Sequence, residues 1–208
     1  MENAKPYPGL IQLMGNLMVA IDLETTGVRP GYNEIIQIAV LPLNADLRPL
    51  ESVRPFYTVV KPNHPERSSK SATAKHRLQI NDLLLNAPES DKVADLLVEW
   101  FENLHLPVSK FLVPLAHNWA FESSFLKAWL GVEMVDQIFH AHARDSMTLA
   151  IAINDLAAFS GELIPFNKVN LGYLCKQLGV TNVNPHDALS DCMAEAELYR
   201  TLLQMKLA

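Results

Sequence analysis

Two acidic residues, one residue apart, follow an apolar run near the start of the chain. The run is Met18 to Ile21; Asp22 and Glu24 follow, and the sequence then turns at Thr25-Thr26-Gly27. Residues two apart on a β-strand point to the same face, so both carboxylates would lie side by side at the end of a buried strand. Like charges this close repel each other, and a divalent cation such as Mg²⁺ usually holds them together. Taken alone, the pair is more typical of a solvated turn.

Two later segments carry similar residue types at the start of predicted helices. In the first, His117 ends a buried strand and Glu122 lies in the first turns of the next helix. In the second, a helix begins just after His186, and Asp191 lies near its start. The positive end of a helix dipole stabilises an ionised acid in the first turn. Both acids would therefore be ready to bind a metal ion.

The order of these segments resembles the DnaQ-like 3′–5′ exonucleases, the histidine subtype of the DEDD superfamily, which includes proofreading subunits and RNase T. The matching motifs are Asp-x-Glu-Thr-Thr-Gly from Asp22, His-Asn-x-x-Phe-acid-x-x-Phe-Leu from His117, and His186 followed five positions later by Asp191. Segments 35–39 and 170–180 are also similar, and the likeness covers roughly 17–205. The resemblance implies an α/β fold with an RNase H-like mixed central β-sheet flanked by helices.

The resemblance also implies a catalytic role for five residues. Two divalent cations, Mg²⁺ with Mn²⁺ as the alternative, would lie about 3.5–4 Å apart, bound by Asp22, Glu24, Glu122 and Asp191. His186 would be the general base, a task that suits histidine because its ordinary pKa lies near working pH. The cations are needed because the phosphodiester transition state carries additional negative charge. The implied reaction releases nucleoside 5′-monophosphates from the 3′ ends of single-stranded DNA or RNA.

Glu122 departs from the family pattern, which has aspartate at this position. Glutamate is one methylene longer, and Mg²⁺ tolerates distorted octahedral geometry poorly. Glu122 would replace the aspartate directly, reduce activity with a preference for Mn²⁺, or mark a weakened nucleic-acid-binding module or polymerase-associated subunit. The other four residues are present, which favours direct replacement. Asp145 is expected to have a supporting role at most, and a hydrolase of other phosphate esters is a further alternative.

Substrate contacts are predicted beside the first two motifs. The family resemblance places the terminal nucleotide near Thr25, Val28 and Tyr32, with Val28 as a wedge and Tyr32 as a platform. Trp119 is the candidate for base stacking. The other aromatic residues of its helix are expected in the core, and these are Phe121, Phe125 and Trp129. His117 and Asn118 are substrate candidates too, although holding the strand–helix turn is favoured, with Asn118 as a helix cap.

Segment 61–77 is the one strongly basic part of an acidic chain. It has a single acid, Glu66, and its basic residues and histidines are Lys61, His64, Arg67, Lys70, Lys75, His76 and Arg77. This composition fits contact with the phosphates of a nucleic-acid strand. It fits a solvated loop equally well, and the sequence does not separate the two.

The hydrophobic pattern predicts the elements that must position these residues. Strands are predicted at 17–24, 34–43, 56–60, 111–116 and within 139–146. The first strands would form an antiparallel meander, and Pro114 favours an edge position or a bulge. Helices are predicted at 78–86, 90–104, 120–130, 147–158, 170–177 and 188–205, with Asp187 as the N-cap of the last. Strands followed by alternating helices and strands indicate an α/β fold with a mixed sheet.

Length and composition restrict the class of protein. A chain of 208 residues with 49% hydrophobic residues fits one domain at 1–208, with 1–16 as a short leader. A net charge of −6 argues against coating nucleic acid by bulk electrostatics. No segment is typical of a bilayer span or a signal peptide. No membrane partner is therefore expected. Two cysteines without a CxxC spacing make a reducing cytoplasm the expected location. The position of the last helix favours a free-standing exonuclease, with a homodimer as one arrangement.

Overall fold

The computed structural model of this chain describes residues 15–205. Its centre is a five-stranded mixed sheet with the strand order β3-β2-β1-β4-β5. The strands are β1 (Leu17–Thr25), β2 (Ile35–Pro42), β3 (Phe56–Val59), β4 (Leu112–Ala116) and β5 (Arg144–Asp145). The first three form the predicted antiparallel meander, whereas β4 runs parallel to β1 and β5 parallel to β4. Most of the predicted leader, residues 1–14, lies outside the described residues.

Eight α-helices surround the sheet in the described part of the chain. They are α1 (Lys70–His76), α2 (Ile80–Asn86), α3 (Ser90–Glu102), α4 (Trp119–Leu130), α5 (Val132–Ile138), α6 (Ser146–Phe159), α7 (Leu171–Leu178) and α8 (Ala188–Gln204). All six predicted helices are confirmed within a few residues. The sequence analysis missed α1, which lies in the basic segment, and α5, which begins directly after Gly131. Within residues 15–205, no helix combines the length and apolar character that crossing a bilayer would require.

The alternating side chains of β1 connect two layers of core. Val19, Ile21 and Leu23 pack with residues of α3 and α4 on one face of the sheet. Met18 and Ala20 pack against α8 on the opposite face. Because side chains alternate along a strand, Asp22 and Glu24 continue the face that α8 covers. The first acidic pair is therefore directed toward the helix that carries the third motif.

Gln37 joins the sheet to the start of α8. This side chain is buried in β2, opposite Glu24 of β1. Its Oε1 accepts a hydrogen bond from the backbone N–H of Ala188 at 2.9 Å, and its Nε2 donates to Tyr57 Oη at 3.1 Å. Tyr57 Oη in turn donates to Asp187 Oδ2 at 2.5 Å. Gln37 thus satisfies a backbone donor of the first helical turn and holds that turn against the sheet.

The predicted edge position of Pro114 is wrong, because β4 lies between β1 and β5. The neighbouring chain on the β5 side is interrupted. It contacts β4 through the bond from His140 N to Leu112 O, and then only at Leu115 and Ala116. Pro114 is two residues beyond Leu112, so its nitrogen faces the same side, where no described strand pairs with it. A proline is tolerated inside the sheet because no ladder donor is needed there. The strand predicted within 139–146 is correspondingly short, only Arg144–Asp145.

We predict that Gln37→Leu lowers the free energy of unfolding by about 1–3 kcal/mol, because it leaves the buried N–H of Ala188 without an acceptor. Urea unfolding followed by circular dichroism measures this, with an unchanged slope expected. Tyr57→Phe removes a partly exposed hydroxyl with its two hydrogen bonds but leaves the Ala188 N–H paired, so it should cost less than Gln37→Leu. Wild-type stability in Gln37→Leu would contradict the anchoring role.

Candidate active site

A cleft of about 680 Å³ lies at the carboxyl end of β1. Its walls come from β1 and the following loop, α1, α4, α7 and the segment before α8. The predicted site residues that line it are Asp22, Glu24, Thr25, Val28, His117, Glu122, His186 and Asp191. The fold thus brings all three sequence motifs to one cavity of a size typical of ligand sites.

Glu24, His186 and Asp191 come closest together in this cleft. Each offers one potential ligand atom, and these atoms lie within 4.8 Å of one another. It is the one such group of three histidine, cysteine or acidic residues found within residues 15–205. Sequence separation between Glu24 and the other two exceeds 160 positions, so the packing of α8 on β1 creates this arrangement.

Hydrogen bonds orient the third motif. Oδ2 of Asp191 accepts the backbone N–H of His186 at 3.1 Å, while Oδ1 accepts the side-chain amide of Asn182. Asn182 Oδ1 accepts from Ser190 Oγ at 3.0 Å. His186 has a φ of 68°, a left-handed conformation that costs free energy in a non-glycine residue. These contacts hold the exposed imidazole of His186 beside Asp191, and the predicted N-cap is confirmed because Asp187 accepts from Ser190 N.

Buried carboxylate oxygens lie deeper in the cleft. Among residues 15–205, Asp22 Oδ2 and Glu122 Oε2 are enclosed without a hydrogen-bond partner. Glu122 is 4% exposed, in the first turn of α4. A buried carboxylate without a partner is costly, and a hard divalent cation is its natural counter-charge. The donor set formed by these carboxylates with Glu24 and Asp191 fits such an ion, which supplies clustered positive charge.

Burial and mutual repulsion raise the pKa of the carboxyl groups in the protein without metal. Burial, followed by repulsion from Asp22 and Asp191, raises the pKa of Glu24 to about 9. Burial, then Asp191, raises the pKa of Asp22 well above its usual value. Burial, then Asp22, has the same effect on the pKa of Glu122. Protons and metal ions therefore compete for these oxygens.

Glu195 is a further buried acid, which the sequence analysis missed. It is 1% exposed and lies one helical turn after Asp191. Ser146 Oγ lies 3.4 Å from Glu195 Oε1 and 2.8 Å from His117 Nδ1, so a hydrogen-bonded chain connects α8, α6 and the second motif. Burial, then Glu122, raises the pKa of Glu195 well above its usual value. A sequence signal for Glu195 was available. It is an acid four residues after Asp191, so both lie on the same side of the helix, next to the small residues Ala188, Cys192 and Ala196.

The loop after β1 is held by its threonines. Thr25 Oγ1 donates to Gly27 O at 2.6 Å, and Thr26 Oγ1 accepts the backbone N–H of Glu34 at 2.9 Å. Thr26 O accepts the N–H of Ser69, which connects this loop to the start of α1. A side chain on Gly27 would approach Asn33 Oδ1 to 2.5 Å, which explains the glycine. Thr25 therefore shapes the cleft wall.

Helix α1 places part of the basic segment beside the acids. Ser69, Ser71, Lys75 and His76 line the cleft. His76 is buried; its Nδ1 accepts the N–H of Leu78 at 3.0 Å, and its Nε2 has no partner among residues 15–205. Burial, followed by nearby His186, lowers the pKa of His76. A neutral His76 thus has its proton on Nε2, which is enclosed behind the cleft wall. The Ser69 cap of α1 was a sequence signal for this helix.

Only some of the residues predicted to contact substrate lie in the cleft. Thr25, Val28 and His117 line the cleft, whereas Tyr32, Asn118 and Trp119 lie outside its described lining. Val28 is 77% exposed, as a wedge requires. Burial lowers the pKa of His117. Trp119, the candidate for base stacking, is half-buried, and its ring packs against the core with Phe139 at 5.9 Å.

Two further expectations for α4 are corrected. Asn118 occupies the N-cap position, but its side chain makes no capping bond and its φ is 85°. Asp145 caps instead: its Oδ2 accepts from Trp119 N at 2.7 Å and its Oδ1 from Thr148 N at 2.9 Å. The supporting role expected for Asp145 is thus the capping of two helices. Phe121, expected in the core, packs on Phe125 and also lines the cleft.

We predict that the metal-free protein loses stability as pH rises from 4.5 to about 9. These limits are the ordinary pKa of Glu24, which applies to the unfolded chain, and its raised pKa in the folded protein. Its folded-state pKa is raised, so folding binds protons in this window and deprotonation opposes it. Thermal melts should show Mn²⁺ or Mg²⁺ raising Tm more at about pH 8.5 than at about pH 5.5. Glu133→Gln, an exposed control, should keep this pattern; metal shifts of equal size at both pH values would contradict the prediction.

Known relatives show which family these motifs belong to. The RNase_T exonuclease family model matches residues 19–199. PolC-type DNA polymerase III of Thermotoga maritima is 24% identical over 187 residues, which cover 90% of this chain and 12% of the polymerase. The corresponding protein of Clostridium perfringens is 27% identical over 185 residues, which cover 88% of this chain and 11% of that polymerase. The chain therefore spans about a tenth of the length of these polymerases.

Solved structures share the fold. Exonuclease I of E. coli, in complex with a dT13 oligonucleotide, has a TM-score of 0.67 and 17% identity, covering 91% of this chain and 41% of that one. Exonuclease I of Methylocaldum szegediense has a TM-score of 0.68 and 17% identity, and the match covers 89% of this chain and 40% of that one. The predicted α/β fold of the RNase H-like exonucleases is confirmed. Together with the family match over 19–199, this confirms the DnaQ-like resemblance, and the chain belongs to the RNase_T exonuclease family.

Proposed function

We propose that this chain hydrolyses the 3′-terminal phosphodiester bond of single-stranded DNA or RNA and releases nucleoside 5′-monophosphates. The observation that carries the proposal is the convergence of Glu24, His186 and Asp191 within one cleft, beside the enclosed oxygens of Asp22 and Glu122. These four carboxylates would hold two divalent cations, Mg²⁺ or Mn²⁺. Such ions, when bound, lower the pKa of attacking water and offset charge on the leaving oxygen.

His186 is the proposed general base. It is exposed, and its backbone N–H is fixed by Asp191 Oδ2, so its imidazole can reach both solvent and the reacting phosphate. A neutral imidazole accepts a proton from the attacking water and returns it to solvent after product release. The geometry thus supports the histidine subtype of the family, which is part of this proposal.

We propose single-stranded ends as the substrate. The cavity has about 680 Å³ and is lined by residues of α1 and α4, which is a suitable size for one terminal nucleotide. Lys75 lies on the α1 wall as a donor for a phosphate. Exonuclease I, solved with a single-stranded oligonucleotide, supports this substrate class by its shared fold. The homodimer, the cytoplasmic location and the single-domain boundaries stay predictions.

We predict that a 5′-labelled single-stranded oligonucleotide, offered as DNA and as RNA, shortens stepwise from its 3′ end with Mg²⁺ or Mn²⁺. A chelator should abolish the ladder, and Asp22→Ala should lower the rate by at least about a hundredfold by removing a metal-binding carboxylate. The exposed Glu133→Ala is the matched control. Binding without cleavage under either metal would contradict the proposal and favour a weakened binding module. Cleavage of mononucleotide esters alone would favour another phosphate hydrolase.

We predict that Glu122→Asp lowers kcat by about tenfold or more, because the shorter side chain withdraws its carboxylate from Asp22 and the cleft. Glu122→Gln, which keeps length but removes charge, should lower kcat further. Both effects are measured on the same labelled oligonucleotide, with Mg²⁺ and with Mn²⁺. The exposed Glu133→Asp is the matched control for the loss of one methylene. A strong rise in turnover for Glu122→Asp would show that the natural glutamate weakens the site.

A further inference from the structure

Two guanidinium groups contact one tyrosine ring just outside the cleft. Arg29 Cζ lies 4.6 Å and Arg67 Cζ 5.1 Å from the centroid of the Tyr32 ring. Tyr32 is 45% exposed, so the group is open to solvent. Stacking on an aromatic ring fixes a guanidinium plane while its N–H edges stay available to an anion. We call this group the Arg29–Tyr32–Arg67 cluster.

Asn33 makes the cluster rigid. This side chain is buried, and its Oδ1 accepts the backbone N–H of Arg29 at 3.0 Å while its Nδ2 donates to Arg67 O at 2.9 Å. Arg29 O also accepts the N–H groups of Tyr32 and Asn33. Two loops far apart in sequence are therefore locked together by one amide, and both arginines are held before any ligand binds.

The cluster is continuous with the cleft on both of its chain segments. Arg29 directly follows Val28, and Arg67 lies two residues before Ser69, while Val28 and Ser69 both line the cleft. The bond from Ser69 N to Thr26 O joins the two segments at the cleft rim. A strand whose last nucleotide occupies the cleft would therefore cross this rim on its way out.

The charges of the cluster are available for a ligand. Among residues 15–205, no carboxylate pairs with Arg29, and its side chain makes no hydrogen bond there. Arg67 Nε lies 3.7 Å from Glu66 Oε1, but that glutamate side chain is 66% exposed, and Arg67 also reaches Tyr32 O at 3.5 Å. Two preorganised guanidinium groups on a chain of net charge −6 are a local attraction for a polyanion.

We propose that the Arg29–Tyr32–Arg67 cluster binds the phosphates of the single strand upstream of its terminal nucleotide. This inference rests on the proposed exonuclease function and extends it to the path of the substrate. The arginines donate to phosphate oxygens, with the bidentate geometry that guanidinium offers. Tyr32 is a positioning residue that orients both guanidinium groups, in place of the base platform expected from the sequence. The cluster thereby makes cleavage depend on substrate length.

The test compares kcat/KM for a thymidylate dinucleotide with that for an eight-nucleotide oligothymidylate, since only the longer strand reaches the cluster. The double variant Arg29→Ala/Arg67→Ala should lose charge-assisted hydrogen bonds to the longer strand. We therefore expect the ratio of kcat/KM for the eight-nucleotide strand to kcat/KM for the dinucleotide to fall by about tenfold. Tyr32→Ala should also lower it, whereas Tyr32→Phe keeps the ring and should retain it. Arg54→Ala is the matched control, because exposed Arg54 precedes β3 at the end of the sheet away from Glu24.

Binding of the eight-nucleotide strand with Ca²⁺ gives an independent readout. Fluorescence anisotropy at several salt concentrations should show the slope of log K against log salt falling by about 1.4 in the double variant, for two phosphates. The proposal would be overturned if the double variant kept the wild-type ratio of kcat/KM values and the wild-type salt slope. It would also be overturned if kcat/KM fell by the same factor for both substrate lengths. If the wild type cleaves neither substrate but its salt slope depends on both arginines, the exonuclease proposal is contradicted, whereas phosphate binding by the cluster is supported.

Discussion

Carboxylates repel one another where β1, α4 and α8 meet, and the packing around them has to resist that repulsion. Asp22 and Glu24 share one face of β1, and Glu122 and Asp191 approach from helix starts on either side. The pKa of Glu24, raised to about 9 chiefly by burial and then by Asp22 and Asp191, reflects the opposition between burial and charge. Such an arrangement persists because β1 lies inside the sheet, with β2 and β4 as neighbours. In the proposed function, bound divalent cations would offset this repulsion.

The start of α8 is the second part of this frame. Gln37 binds its first backbone N–H, Asp187 caps it, and Asn182 joins Asp191 to the preceding segment. The apolar face of the same helix packs on Met18 and Ala20 of β1, directly beside the acids. Hydrophobic burial therefore supplies the force that holds the third motif against the first. His186 depends on the same frame, since its left-handed backbone is anchored by Asp191 Oδ2.

A second layer of polar groups supports the site from behind. Asp145 caps both α4 and α6, and so fixes the helix that carries Glu122. Ser146 bridges His117 and Glu195, so the second motif and α8 share one hydrogen-bonded chain. Burial, and then the nearby Glu122, raises the pKa of Glu195, so the protonation of this buried acid is coupled to the second motif.

The sequence by itself determined the motifs and most of the elements. Period-two alternation placed Asp22 and Glu24 on one face of a strand, and local capping signals located the starts of helices such as α8. These are properties of near neighbours, so a single sequence expresses them. Helices α1 and α5 were missed because their short segments carry weak hydrophobic periodicity.

Only the tertiary structure decided which side chains share the cleft. Trp119 and Tyr32 have the right chemistry for bases, yet neither lines the cleft: the Trp119 ring packs on Phe139, and two guanidinium groups lie over the Tyr32 ring. His76 joins the cleft through the docking of α1, and no local pattern records that docking. The physical reason is that burial and long-range contact set the pKa of an acid and the exposure of a ring. Both depend on residues distant in sequence, which spacing along the chain does not encode.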